Sequence, residues 1–270
     1  MSRKIAVIMS VYKLDASEAL ECSIKSILEQ SYNCDLFLYC DGLLPRELDL
    51  VIEQFLELDN VNVIKNRENK GLCYALNHMI DVTIKQGYDY IARMDSDDIS
   101  LPERIEKQIG FMESNPDIDV LGGACREFGA TFAIDYKCLP LTHDELEEFS
   151  IARCPFIHPT VIFRASIFQE GHRYPTNTSL TEDMALWYIL LEAGKKFANL
   201  PDILIYYKMN ENTVNRRRGL SKSLSEVKLR YKYMLIVDSV NVKNITSLLA
   251  RFVFHLLPLS ITRLLYKFAR

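Results

Sequence analysis

Over the first hundred residues, short unbroken apolar runs alternate with stretches in which apolar residues recur every third or fourth position. The runs at 5–9, 36–39, 61–64 and 88–94 suit strands buried on both faces. Between them, 18–30 places Leu20, Ile24, Ile27 and Leu28 on one helical face, and 45–58 opens with Pro45 near a helix start. The stretch 72–85 follows Gly71 and aligns Leu72, Ala75, Leu76 and Met79. Strand–helix repeats joined by short links predict a right-handed, three-layer α/β fold around a parallel sheet. Ligands of such sheets bind outside the carboxyl ends of the strands. That rule singles out 10–13, Asp41-Gly42, 67–71 and 95–98.

Beyond residue 98 the pattern is less regular. Helices are expected at 102–114 and 143–152, and strands at 120–126, 160–163, 197–200 and 203–208. A further helix at 181–193 has Thr181 as its cap, with Glu182 and Asp183 in its first turn. From residue 220 on the sequence is helical in three pieces, 220–237, 245–257 and 259–269. The chain therefore divides into an α/β domain over 1–215 and a helical appendage over 216–270.

Charge sharpens that division. Of the 32 Lys and Arg residues, 12 lie from Arg216 onward, against only two of the 36 Asp and Glu residues. An acidic body with a basic tail suits a surface that meets phosphate or lipid headgroups, and a nucleic-acid partner is not expected. Ile245, Leu248, Leu249, Phe252 and Leu256 share one helical face, as do Ile261, Leu264, Leu265 and Phe268. Arg251, Arg263, Lys267 and Arg270 fall toward the edges, a pattern that binds anionic bilayer surfaces or packs on the body. No charge-free apolar stretch reaches the roughly 18 residues of a membrane span. Seven scattered cysteines without C-x-x-C pairs, and no export signal, point to a reducing cytoplasm.

The chemistry concentrates in Asp95-Ser-Asp-Asp98, where a strand runs into three carboxylates. That much negative charge is unfavourable without a cation; Mg²⁺ or Mn²⁺, each binding a carboxylate or two plus substrate phosphates, would relieve it. A solvated acidic turn is the plainer alternative. Asp41-Gly42 offers an acceptor for a base N–H and a close backbone approach, or only a turn. Arg67 to Gly71 offers cations and a helix N-terminus to an anion, or a surface loop. Asp183, with Glu182 beside it, suits a base that removes a hydroxyl proton, or simple helix-end charge. His158 is structural or lines an acceptor site; Trp187 is a sugar platform or, as its spacing favours, core. Phosphate-loop, dinucleotide-binding and serine-nucleophile glycine patterns are absent.

Taken in order, Met9-Ser-Val-Tyr12, Ala19 to Ser31, Asp41-Gly42, Asn69-Lys-Gly-Leu72 with Ala75-Leu-Asn77, Arg93 to Asp98, His158-Pro-Thr160 and Thr181-Glu-Asp183 resemble glycosyltransferase family two. These are inverting enzymes of the GT-A fold, a Rossmann-like, mostly parallel sheet flanked by helices. Bacterial O-antigen and exopolysaccharide transferases are the most similar members. The resemblance implies a metal-dependent hexosyltransferase. It would move glucose or galactose from a UDP-sugar donor to a lipid-linked (undecaprenyl-diphosphate) N-acetylhexosamine acceptor, in a β1,3 linkage, at the inner face of the cytoplasmic membrane.

By the same resemblance Ser10, Tyr12 and Asp41 line the nucleoside pocket, and Arg67, Lys70 and Gly71 border the nucleotide. Asp95 contacts ribose or donor sugar, Ser96 and Asp98 support the donor site, Asp97 holds the metal, and Asp183 is the base. Two positions depart from the family pattern. Lys13 replaces an asparagine, and Tyr207-Lys-Met-Asn210 lacks the usual arginine and histidine. A silent sugar-nucleotide or lipid-carrier binder is the rival from another class, but mere binding does not demand Asp183. A nucleotidyltransferase would carry a glycine- and arginine-rich first loop, and residues 10–17 contain neither residue type.

Overall fold

A computed structural model describes residues 3–178, 181–210 and 220–256. Strand β1 (Ile5–Val11) is followed by α1 (Ser17–Leu28), β2 (Asp35–Asp41), α2 (Arg46–Glu53), β3 (Val61–Asn66), α3 (Leu72–Lys85) and β4 (Tyr90–Asp95). A two-residue strand β5 (Ile99–Ser100), α4 (Arg104–Ser114), β6 (Val120–Phe128), α5 (His143–Ala152) and a 3₁₀ turn (His158–Thr160) come next. Then follow β7 (Ile162–Arg164), α6 (Ala165–Gln169), α7 (Glu182–Glu192), β8 (Phe197–Lys208), α8 (Leu220–Ile236) and α9 (Val242–Leu256).

One sheet runs in the order β3-β2-β1-β4-β7-β6-β8-β5. The first four strands are parallel, as the sequence predicts. The other half is mixed: β7 is antiparallel to β4 and β6, β8 is parallel to β6, and β5 closes the edge antiparallel to β8. The mostly parallel sheet expected for a GT-A fold is thus found as a mixed sheet with four parallel strands in its first half. Its antiparallel pairings join segments far apart in sequence, which local periodicity does not reveal.

Alternation along β1 explains the two cores. Ile5, Val7, Met9 and Val11 pack with Leu20 and Ile24 of α1, Leu48 of α2 and Ile105 of α4. Ala6 and Ile8 face the other way, onto Leu76 and Met79 of α3 and the aromatic layer around Trp187 of α7. The two strands expected at 197–200 and 203–208 are one strand. Pro201 and Asp202 sit where the β6 register jumps from Gly123↔Leu200 to Ala124↔Ile203, and an irregularity of that kind accommodates a proline inside a strand.

The appendage joins the body intimately. Arg230, Tyr233 and Met234 of α8 are buried, and Tyr233 stacks on Tyr188 of α7 with centroids 4.1 Å apart. The amphipathic face expected at 245–256 is divided: Leu248 is buried, whereas Leu249 is 58% exposed. Residues 216–218 and the helix expected at 259–269 lie outside the described residues. No helix among the described residues is long and apolar enough to cross a membrane.

Candidate active site

The carboxyl ends of β1, β2 and β4 open into a cleft of about 710 Å³. Ser10, Tyr12, Asp41, Gly71, Asp95, Ser96, Asp97, His158, Glu182 and Asp183 all line it, so residues spread over 174 positions converge on one space. Parallel pairing causes part of this: Ser10 of β1 lies opposite both Tyr39 of β2 and Asp95 of β4.

Asp41 is 4% exposed, and its two carboxylate oxygens accept the main-chain N–H groups of Lys70 at 2.7 Å and Gly71 at 2.9 Å. This clamp fixes the loop before α3. Gly71 adopts φ 86°, a conformation that favours glycine, and is the N-cap of α3. Gly42, at φ 96°, serves its own chain: a Cβ there would lie 3.1 Å from the Asn69 nitrogen. The side chains of Arg67 and Lys70 are at the exposed surface and do not line the cleft; the Lys70 ammonium lies 4.7 Å from the Tyr74 ring centroid.

The acidic turn between β4 and β5 is held from several sides. Asp15, which the sequence pattern did not single out, accepts the Tyr12 N–H at 3.0 Å and the Ser96 hydroxyl at 2.9 Å. It joins the loop after β1 to the acidic turn, and only the fold brings those loops together. Ser23 of α1 donates to the Asp95 carbonyl at 2.9 Å. Arg104, fully buried beneath the sheet, donates to the Arg93 carbonyl at 2.8 Å. Burial lowers its pKa to about 10. Arg93, itself 3% exposed, pairs with Asp95 through its guanidinium.

One carboxylate oxygen from each of Asp95, Asp97 and Asp98 lies within 4.8 Å of the others. Burial, then the Asp95 charge, pushes Asp97 up to about 6, with Lys208 pulling the other way. Burial, then Asp95 and Asp97, raises Asp98 well above the ordinary carboxylate range. One Asp98 oxygen accepts the Lys208 N–H at 2.7 Å, and the other is buried without a hydrogen-bond partner among the described residues. Three mutually repelling oxygen donors and one orphaned oxygen fit a hard divalent cation. Asp98 itself is not among the cleft-lining residues.

The remaining lining residues come from the mixed half of the sheet and the helices beyond it. Asp183, in the first turn of α7, accepts the Met184 N–H at 2.7 Å through one oxygen and the Cys154 thiol at 3.7 Å through the other. His158 hydrogen-bonds the Tyr174 hydroxyl at 2.8 Å, and burial followed by the Arg93 charge holds it well below its ordinary pKa, so it is neutral at pH 7. Trp187 is fully buried, stacked on Phe163 at 5.7 Å and edge-on to Phe156 at 4.9 Å. It is core and offers no face to a sugar, a correction to its inclusion among the acceptor candidates.

The family-divergent positions separate as well. Lys13 is exposed and outside the cleft, whereas Tyr207, Lys208 and Asn210 line it. Glu226, Arg230 and Arg251 of the appendage line it too, which no pattern in the sequence indicated.

The model of glycosyl transferase family 2 matches residues 6–170. The chain belongs to glycosyl transferase family 2. The amylovoran biosynthesis glycosyltransferase AmsE of Erwinia amylovora is 32% identical over 263 residues, covering 97% of both chains. An Escherichia coli UDP-Gal:α-D-GlcNAc-diphosphoundecaprenol β-1,3-galactosyltransferase is 29% identical over 269 residues, covering 98% of this chain and 95% of that one. Among solved structures, the Pyrobaculum calidifontis mannosyltransferase PcManGT, in complex with GDP-Man and Mn²⁺, superposes with a TM-score of 0.65 at 13% identity. That match covers 98% of this chain and 73% of PcManGT. The family 2 chain described here thus has a GT-A-like α/β fold, and it is a glycosyltransferase.

Proposed function

We propose that this family 2 enzyme transfers glucose or galactose from a UDP-sugar, with inversion, to an N-acetylhexosamine carried on a lipid diphosphate. The product would extend a surface polysaccharide through a β1,3 linkage. The observation that carries the reading is that Asp95 and Asp97, clustered with Asp98, line the same cleft as Asp183. The E. coli relative, which by its name acts on UDP-Gal and GlcNAc-diphosphoundecaprenol, supports the choice of donor and acceptor.

In this reading Ser10, Tyr12, Asp41 and Gly71 hold the nucleoside. Asp41 already accepts two N–H groups, yet a carboxylate has about four lone-pair sites, so it retains capacity for a base N–H. Asp97, flanked by Asp95 and Asp98, would hold Mn²⁺ or Mg²⁺. When bound, the ion supplies Lewis-acid neutralisation of the departing diphosphate. Lys208, close enough to lower the Asp97 pKa, adds a cation of the chain's own. Asp183 takes the proton from the acceptor hydroxyl as its oxygen bonds to the anomeric carbon and the bond to the UDP oxygen breaks. The Met184 N–H and Cys154 thiol orient that carboxylate, Glu182 stands beside it, and neutral His158 borders the acceptor space.

The exposed apolar residues Leu224, Tyr231, Leu235, Leu249 and Val253, with exposed Lys228, Lys232 and Lys243 on the same two helices, would rest peripherally on the anionic inner face of the membrane. Binding to vesicles containing phosphatidylglycerol, weakened by Leu235→Glu with Leu249→Glu, is the outcome this predicts. Vesicle binding unaltered by the pair would remove it.

The reaction is tested by incubating purified protein with UDP- and GDP-sugars, Mn²⁺ or EDTA, and a synthetic GlcNAc-diphosphate-lipid. Product from one UDP-hexose, abolished by EDTA, is expected. Neither transfer nor donor hydrolysis with any sugar nucleotide would sink the reading.

A further inference from the structure

Arg251 lines both the large cleft and a small pocket between α8 and α9, and its chemistry is unused by the reading above. Its Nε donates to Oε1 of Glu226, a carboxylate whose side chain is 6% exposed; the same oxygen accepts from Arg230 Nε at 2.9 Å. Two guanidinium groups therefore share one buried carboxylate, and the group carries a net positive charge. The arginines are not equivalent. Arg230 is 1% exposed and spends Nη1 on the carbonyls of Ser150 and Ile151 and on the Tyr188 hydroxyl. It is a structural cation that fastens α8 to α5 and α7. The Arg251 side chain is 35% exposed and faces the cleft.

This cationic group stands near the candidate base. The Ser225 hydroxyl of α8 is 3.0 Å from that of Thr181, the residue that precedes α7 and its Asp183. Cys154, whose thiol faces Asp183, senses the Arg230 charge. A sugar whose hydroxyl meets Asp183 would thus place the group on its reducing end within reach of α8 and α9. Of the other cations lining the cleft, Arg93 pairs with Asp95, Lys137 with Glu127, and Lys208 stands beside the acidic cluster.

Resting on the acceptor side of the proposed function, we infer that Arg251 binds the diphosphate joining the acceptor sugar to its lipid. Glu226, itself held by Arg230, keeps its guanidinium in place. The cleft then has two phosphate-recognising ends: the acidic cluster with its cation for the donor diphosphate, and Arg251 for the acceptor diphosphate. An acceptor lacking the diphosphate is discriminated against at Arg251.

The test titrates farnesyl diphosphate into the full chain saturated with UDP and Mn²⁺, so that the donor site is filled. It compares wild type with Arg251→Gln and Arg251→Lys. Loss of charge-assisted hydrogen bonds at Arg251 should weaken farnesyl diphosphate by about ten- to a hundredfold in the Gln variant, with partial recovery in the Lys variant. UDP affinity and thermal unfolding should stay level across the three proteins, which separates lost binding from lost folding. Equal affinity in all three, or no binding by wild type, overturns the inference. A parallel assay compares transfer to GlcNAc-diphosphate-lipid and to an uncharged GlcNAc alkyl glycoside. Arg251→Gln should lower kcat/KM only for the first. Robust transfer by wild type that Arg251→Gln leaves unchanged overturns the inference while sparing the proposed reaction. Arg251-dependent diphosphate binding without transfer to either acceptor upholds it and counts against the reaction.

Discussion

The four parallel strands β3-β2-β1-β4 and the mixed strands β7-β6-β8-β5 contribute to one cleft by different means. In the parallel half, each functional side chain sits at or just past a strand end and is fixed by contacts to the next loop. Asp41 clamps Lys70 and Gly71, and Asp15 ties Tyr12 to Ser96. In the mixed half, Asp183 rests on a helix whose underside is the aromatic packing of Trp187, Phe156, Phe163 and Phe197; its thiol partner Cys154 follows α5, and the preceding Thr181 meets Ser225 of α8. The first wall is a fixed set of polar atoms suited to a nucleotide. The second is carried on helices packed over the sheet by an aromatic layer.

The sharpest break of that contrast is at Asp97. Asp97→Ala, deleting a carboxylate from the proposed cation site, should cut transfer by about a thousandfold or more while the protein stays folded, since electrostatic groups at developing charge are worth about 10²–10³ each or more. Circular dichroism with a donor-transfer assay checks both halves of the statement. Packing in the mixed half is probed by Gly122→Ala. The new Cβ would lie 2.3 Å from Asn199 Oδ1 and 2.6 Å from Phe156 Cδ1, so a loss of about 1–3 kcal/mol is expected in urea unfolding. No loss would mean that the aromatic layer is looser than described.

A milder test is the pH dependence of cation binding. The folded Asp97 pKa is raised, to about 6, so the proton is held more tightly in the fold than in the open chain. Below about pH 6 that proton competes with the metal. Apparent Mn²⁺ affinity should fall about tenfold per pH unit below 6 and level off above it. Calorimetric titrations from pH 5 to 8 that gave a flat affinity would remove Asp97 as a ligand. The smallest effect is expected on the outer face of α4, where a Cβ at exposed Gly110 meets nothing within 4 Å. Gly110→Ala should stabilise by about 0.5–1 kcal/mol, with activity unchanged.

The same contrast decides what was legible in the sequence. The strands and helices of the parallel half were visible because each is a local pattern: buried runs for β1 to β4, and 3.6-residue periodicity for α1 and α3. The rule that ligands bind at carboxyl strand ends then located Ser10, Asp41 and Asp95 without further help. The antiparallel placement of β7, the continuity of β8 through Pro201, and the arrival of Arg230 and Arg251 at the cleft were not legible. Each depends on which distant segment packs where. Trp187 shows the limit from the other side, since helical spacing suited core and platform alike and only its fourfold aromatic surroundings decide. Asp15 carried no signal beyond being an acid in a turn, and it gains a role only when β1 and β4 lie side by side.

The central claim is that the parallel wall binds the donor and the mixed wall activates the acceptor, and Asp183→Asn tests it most directly. Single-turnover transfer from a saturating UDP-sugar, with UDP affinity measured on the same protein, separates binding from chemistry. The account predicts a rate about 10²–10⁴-fold below wild type, with UDP affinity unchanged, because general-base catalysis contributes about that much. Near-normal transfer by Asp183→Asn, or donor affinity that fell together with the rate, would contradict it.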